Sequence, residues 1–105
     1  MTLRVDTGGE PGIVHLVGEL DIATVPLADE ALTAACDEAS TVVVDLSNLT
    51  FMDSSGVRLL LQRWATQRER QGDLILRQPT PTVQRLFDLL GLEENGVTVE
   101  RGPNQ

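Results

Sequence analysis

Val42 to Trp64 reads VVVDLSNLTFMDSSGVRLLLQRW. The stretch passes from an apolar, β-branched run through a polar turn into a segment whose apolar residues recur at helical spacing. Thr41 to Leu46 (TVVVDL) is short and nearly unbroken in its apolar character, which predicts a central strand covered on both faces. Beyond the turn, Val57, Leu60, Leu61 and Trp64 occupy positions i, i+3, i+4 and i+7 of one helix face. This strand–turn–helix unit sets Asp53-Ser54-Ser55-Gly56 at the carboxyl end of a strand and the start of a helix, where open α/β sheets gather their functional groups.

The flanking segments extend the same alternation. Leu3 to Asp6 predicts a short strand, the glycines and Pro11 of Thr7 to Gly12 (TGGEPG) predict a turn, and Ile13 to Leu20 (IVHLVGEL) predicts the hairpin partner. In DIATVPLADEALTAACDEAS, residues 21–40, the side chains of Ala28, Ala31, Leu32, Ala35 and Cys36 trace the narrow apolar face of a helix. Thr24 is a candidate cap there, and Pro26 is tolerated in the first turn. Gly72 closes the helix that follows the central turn, and Leu74 to Arg77 predicts another strand. A third helix starts with Thr80 as cap and Pro81 at its first position, carries the stripe Val83, Leu86, Phe87 and Leu90, and stops at Gly91. Gly96 to Glu100 predicts the last strand, and Arg101 to Gln105 a frayed tail. The order β-β-α-β-α-β-α-β predicts an α/β domain with a mixed sheet of about five strands and helices packed against it. It is expected as a single domain over residues 1–100, with residues 101–105 as a C-terminal tail.

Composition narrows the functional classes. With 105 residues the chain fits one domain, and a chain of this size hides roughly 60–70% of its unfolded surface, enough to fold without staples. Phe51, Trp64 and Phe87 are the only aromatic residues, poor material for base stacking. The formal charge is −8, and all eight basic residues are arginines. Phosphate backbones and anionic membranes are repelled by such a surface, so no direct nucleic-acid contact is expected, and a partner with a basic docking face fits better. Cys36 stands alone, without a disulfide or metal-ligand cluster. No apolar signal segment and no run of membrane-spanning length is present, so a soluble cytoplasmic protein without a membrane span is expected. No residues converge as metal ligands, and TGGEPG lacks the lysine and following helix of a phosphate loop, so neither metal nor cofactor is expected.

Two uses of Asp53 to Gly56 follow from its position. Asp53 or Ser54 can cap the helix by accepting from its unpaired N–H groups, and Gly56 can serve a tight turn or the close approach of a partner. The same loop suits a phosphoacceptor serine, because a phosphate adds about −1.5 to −2 charges that repel a docked partner more than they disturb the fold. A serine hydrolase is disfavoured: DSSG is not a Gly-x-Ser-x-Gly elbow, and His15, the single histidine, sits in a strand. Spacing alone leaves capping and modification both open.

FMDSSGVRLLLQR (Phe51 to Arg63) resembles the phosphorylation segment of bacterial anti-sigma factor antagonists, the small single-domain STAS proteins. GELDIATVPLADEAL (Gly18 to Leu32) resembles the family's first-helix segment, and PTVQRLFDLLGL (Pro81 to Leu92) its third-helix segment. The resemblance covers about Leu3 to Val99. It implies a STAS-like fold and a non-enzymatic protein that binds an anti-sigma factor serine kinase and so releases the sigma factor for transcription. It implies phosphorylation of Ser54 by that kinase, which ends binding, and restoration by a serine phosphatase. Asp21, Asp53, Ser54, Ser55 and Gly56 would form the partner-binding loop. Relatives often read Gly-Leu-Gly where this chain has Gly56-Val57-Arg58; Arg58 sits in the first helical turn, where it can pair with a Ser54 phosphate or contact the partner. The alternative is a STAS scaffold or accessory subunit of a stress-signalling complex or lipid transporter.

Overall fold

Alternation within Ile13 to Leu20 decides where the core lies: Val14 and Leu16 are fully buried, whereas Ile13, His15 and Val17 stay half-exposed. In a computed structural model of the chain, which describes residues 2–102, the elements are β1 (Leu3–Asp6), β2 (Ile13–Leu20), α1 (Val25–Glu38), β3 (Thr41–Asp45), β4 (Leu49–Met52), α2 (Ser54–Glu69), β5 (Asp73–Arg77), α3 (Pro81–Leu90) and β6 (Thr98–Glu100). The expected hairpin is present, with β1 antiparallel to β2. The remaining pairings are parallel and give the strand order β1-β2-β3-β5-β6, with β4 joined separately to β2. The α/β fold with a mixed sheet is as the sequence reads, with six strands in place of about five.

Register carries the core across the sheet. Val14 lies beside Val44, Val42 beside Leu74, and Val44 beside Leu76, so these buried side chains share one face. Ala28, Leu32 and Ala35 of α1 and Val57, Leu59 and Leu60 of α2 close over it. At about 25 cal/mol per Å² of apolar surface removed from water, this shared aliphatic layer is the main term opposing chain entropy. The expectation that β3 is covered on both faces is corrected. Val43 is half-exposed, and the same side of the sheet carries His15, Asp45 and Arg77. Asp45 is 6% exposed, accepts from Ser47 and pairs with Arg77 at 2.9 Å. β-Branched residues favour a strand on an open face as readily as in a covered one, so the apolar run did not distinguish the two.

Local signals account for α3 in full: Thr80 Oγ1 accepts from the Val83 N–H, Pro81 opens the helix, and Gly91 ends it in the left-handed region at φ 67°. The end of α2 is held differently. Gln67, 1% exposed, donates from its side-chain nitrogen to the carbonyls of Ala39 and Ser40 at 2.8 Å each, tying α2 to the turn between α1 and β3. Arg101, expected within the tail, pairs with Glu93 at 2.7 Å; residues 103–105 of that expected tail lie outside the described residues.

Gln67→Ala takes the side-chain donor from the Ala39 and Ser40 carbonyls, although Ser40 keeps the Asp73 N–H, and chemical denaturation is expected to show a loss of about 1–3 kcal/mol. Unchanged stability would mean that water replaces the amide at no cost.

Candidate functional site

The site depends on β2 changing partners. Its first half runs beside β3, and its second half, Gly18 to Leu20, beside β4, with a register shift between Gly18 and Glu19. Gly18 has φ 109°, and a Cβ there would come within 2.6 Å of the Thr2 carbonyl, so the bend requires glycine. Because Leu20 pairs with Met52 and the Asp53 N–H donates to the Leu20 carbonyl at 3.2 Å, β2 and β4 end side by side. Asp21 and Asp53 therefore begin adjacent loops, one leading into α1 and the other into α2.

The two aspartates organise these loops in parallel ways. Asp21 Oδ1 accepts from the N–H groups of Ala23 and Thr24 at 2.9 and 3.1 Å. Thr24 Oγ1 accepts from the Asp21 N–H and donates to the Glu19 carbonyl. Thr24 does occupy the N-cap position of α1, but its side chain makes no cap hydrogen bond to the helix, which corrects the expectation of a threonine cap. Asp21 is 6% exposed, so its carboxylate holds the loop in shape.

Asp53 resolves the choice between the two candidate caps. It is the N-cap of α2, and its Oδ1 accepts from the Ser55 N–H at 2.9 Å, the Gly56 N–H at 3.3 Å and the Ser55 hydroxyl at 2.5 Å. The Ser55 hydroxyl is the largest cause holding the Asp53 carboxyl below the usual carboxylate range; partial burial opposes it, and the N–H groups of Gly56, Ser55 and Ile22 add to the lowering. Ser54, the first residue of α2, is exposed, and among the described residues its hydroxyl has no hydrogen-bond partner. Adjacent serines thus differ sharply: one hydroxyl is committed to the cap and the other is free.

Gly56 serves packing. A Cβ at this buried position would meet Met52 Cγ at 2.8 Å and Leu20 Cγ at 2.9 Å, so glycine lets the start of α2 lie directly on β2 and β4. Arg58 is exposed and points among apolar neighbours. On one side of it lies a cleft of about 450 Å³ lined by Ser54, Val57, Leu61 and Leu90; on the other lies a cleft of about 240 Å³ lined by Ile22, Val25, Pro26 and Ser55. Two contributors escaped the sequence reading. Ile22 is 79% exposed, and Leu90, expected on the core stripe of α3, is 48% exposed at the cleft rim. An isoleucine directly after a buried capping aspartate was the available signal for the first. His15 lies 3.9 Å from Asp45 on the other side of the sheet and makes no hydrogen bond to Ser54. Among the described residues no group of histidine, cysteine and carboxylate side chains is arranged to hold a metal, and no helix is long and apolar enough to cross a membrane.

Fold and site together define a small α/β domain with one exposed, unpartnered serine hydroxyl at the start of α2, set beside apolar clefts. The chain belongs to the STAS family, whose domain signature matches residues 2–101. It is 36% identical over 85 residues to an anti-sigma F factor antagonist of Lysinibacillus sphaericus, covering 79% of this chain and 73% of that one. It is 35% identical over 98 residues to an anti-sigma F factor antagonist of Paenibacillus polymyxa, covering 88% and 82%. The Bacillus cell fate determinant SpoIIAA in its phosphorylated form superposes with a TM-score of 0.70 at 27% identity, covering 96% of this chain and 91% of that one.

The cap has a pH signature. A carboxyl held below its unfolded value contributes stability that is present above about pH 4 and is lost as pH falls through the folded value. Asp53→Asn retains an acceptor for the helix and should remove its share of that acid loss, whereas Asp53→Ala should cost about 0.5–2 kcal/mol at neutral pH. Thermal unfolding between neutral and acid pH measures both; an alanine variant as stable as wild type would contradict the cap. Gly56→Ala is expected to lose about 1–3 kcal/mol through overpacking against Leu20 and Met52, read by urea denaturation. An unchanged midpoint would show that these side chains yield freely.

Proposed function

We propose that this chain is an anti-sigma factor antagonist: a non-enzymatic protein that binds an anti-sigma factor serine kinase in the cytoplasm and is switched off by phosphorylation of Ser54. The observation that carries the reading is the exposed, unpartnered hydroxyl of Ser54 beside a Ser55 hydroxyl already committed to Asp53. The names of the two bacterial relatives support the antagonist role, and the phosphorylated state of SpoIIAA supports modification as a feature of such proteins.

In the unmodified state the partner covers Ser54, Ser55 and Arg58 and fills the clefts rimmed by Ile22 and Leu90. Asp21, Asp53 and Gly56 act beneath this surface as positioning residues. Asp21 and Asp53 fix the two loops, and Gly56 seats α2 on the sheet. The kinase supplies ATP. Ser54 Oγ forms a bond to the γ-phosphorus as the bond to ADP breaks, and the hydroxyl proton passes to a base of the kinase. The ester places about −1.5 to −2 charges at the centre of the docking surface, beside the Asp53 carboxylate. Like charge forced into an interface costs several kcal/mol. Hydrolysis of the ester by a serine phosphatase, with water supplying the new hydroxyl proton, restores the surface.

Calorimetry with the host's anti-sigma factor tests the reading. Ser54→Ala should bind within a few-fold of wild type and accept no phosphate, whereas Ser54→Asp should bind at least about tenfold more weakly, a loss of roughly 1.4 kcal/mol or more. Wild-type affinity in Ser54→Asp would exclude charge at this surface as the switch.

A further inference from the structure

We propose that Arg58 is the intramolecular counter-ion of phosphorylated Ser54. The inference rests on the reading of Ser54 as the modified residue and extends it to how the modified state is held.

Arg58 is placed and unoccupied in a way most arginines of the chain are not. Arg63 pairs with Asp29, Arg68 with Asp73, Arg70 with Asp37, Arg77 with Asp45, and Arg101 with Glu93. Arg58 has no hydrogen bond or ion pair among the described residues. Arg4 and Arg85 are likewise exposed and unpaired, but of these three Arg58 is the one that shares a cleft with Ser54. It follows Ser54 by four residues along α2, and side chains at that spacing lie on one helix face with Cβ atoms about 5–6 Å apart. Both line the same cleft beside Leu90, and Arg58 also lines the cleft that holds Ser55.

The local charge balance points the same way. The nearest helix donors, the N–H groups of Ser55 and Gly56, already serve the Asp53 carboxylate. A phosphate on Ser54 therefore arrives beside a negative charge whose donors are taken. Among the residues lining the two clefts, those from α1 and its preceding loop (Ile22, Val25 and Pro26) and Leu90 from α3 are uncharged, and Arg58 is the one charged side chain. Asp21 faces its own loop, and Asp53 faces Ser55 and Gly56. A guanidinium offers parallel N–H donors that match two phosphate oxygens. Phosphorylation would then change the docking surface twice: it masks the serine hydroxyl and withdraws the free cation from a partner.

Phosphoserine encoded genetically at position 54 allows a direct test on the whole chain. The phosphorus NMR shift is followed through the second phosphate ionisation, ordinarily near pH ~6, in wild type, Arg58→Gln and Arg58→Lys. The wild-type midpoint is expected to lie roughly 0.3–0.5 of a pH unit below that of Arg58→Gln, with Arg58→Lys between them and the differences fading at about 1 M salt. Coincident midpoints for wild type and Arg58→Gln would overturn the proposal. Because the phosphate is installed without a kinase, this result is separate from the question of whether Ser54 is modified in the host. A Ser54 never phosphorylated there would undo the functional reading while leaving the measured pairing intact.

Discussion

The carboxylate of Asp53 is the interaction on which the site depends. By accepting from the N–H groups of Ser55 and Gly56 it starts α2, and by accepting from the Ser55 hydroxyl it ties that side chain into the cap. The other serine is left at the first helical position with its hydroxyl in solvent. Of the two candidate caps, Asp53 takes the role, and the Ser54 hydroxyl is left without a partner among the described residues. The cap is part of what makes the free hydroxyl available.

Behind this cap stands the sheet. The change of partner in β2 at Gly18 brings β4 alongside it, and the pair ends where Asp21 and Asp53 begin their loops. Gly56 then allows α2 to rest on Leu20 and Met52 so closely that a Cβ would press on their side chains. The apolar clefts on either side of Arg58 follow from this placement, because α1 and α3 flank α2 closely enough for Ile22 and Leu90 to rim them. A locally capped scaffold therefore carries an exposed surface around Ser54 and Arg58.

Elements whose signals are local were legible in the sequence. The third helix announced its start with Thr80-Pro81 and its end with Gly91, and β2 announced its inward face by alternation. The strand β4 was not legible, since its four residues are recognisable only through pairing with β2, a contact remote in sequence. Val43 looked like a core residue because β-branching reports strand formation without reporting which face is covered. Asp21 was singled out by resemblance as part of the partner-facing side; that its carboxylate also holds its own loop through Ala23 and Thr24 is visible only in the structure. Ser54 was identified from the motif, yet the reason it differs from Ser55 is the orientation of one carboxylate, which a string of residues does not encode. Exposed Leu90 was hidden within a correct helical stripe, because periodicity does not report where a neighbouring helix ends.

The central claim is that Asp53 commits Ser55 and leaves Ser54 as the residue to be modified. The most direct measurement is phosphosite mapping, with intact mass, of the protein recovered from its native host before and after stress. A single phosphate on Ser54, reduced after stress, with Ser55 unmodified throughout, is the expected result. Phosphate on Ser55, or an unmodified Ser54 in every condition, would contradict the claim.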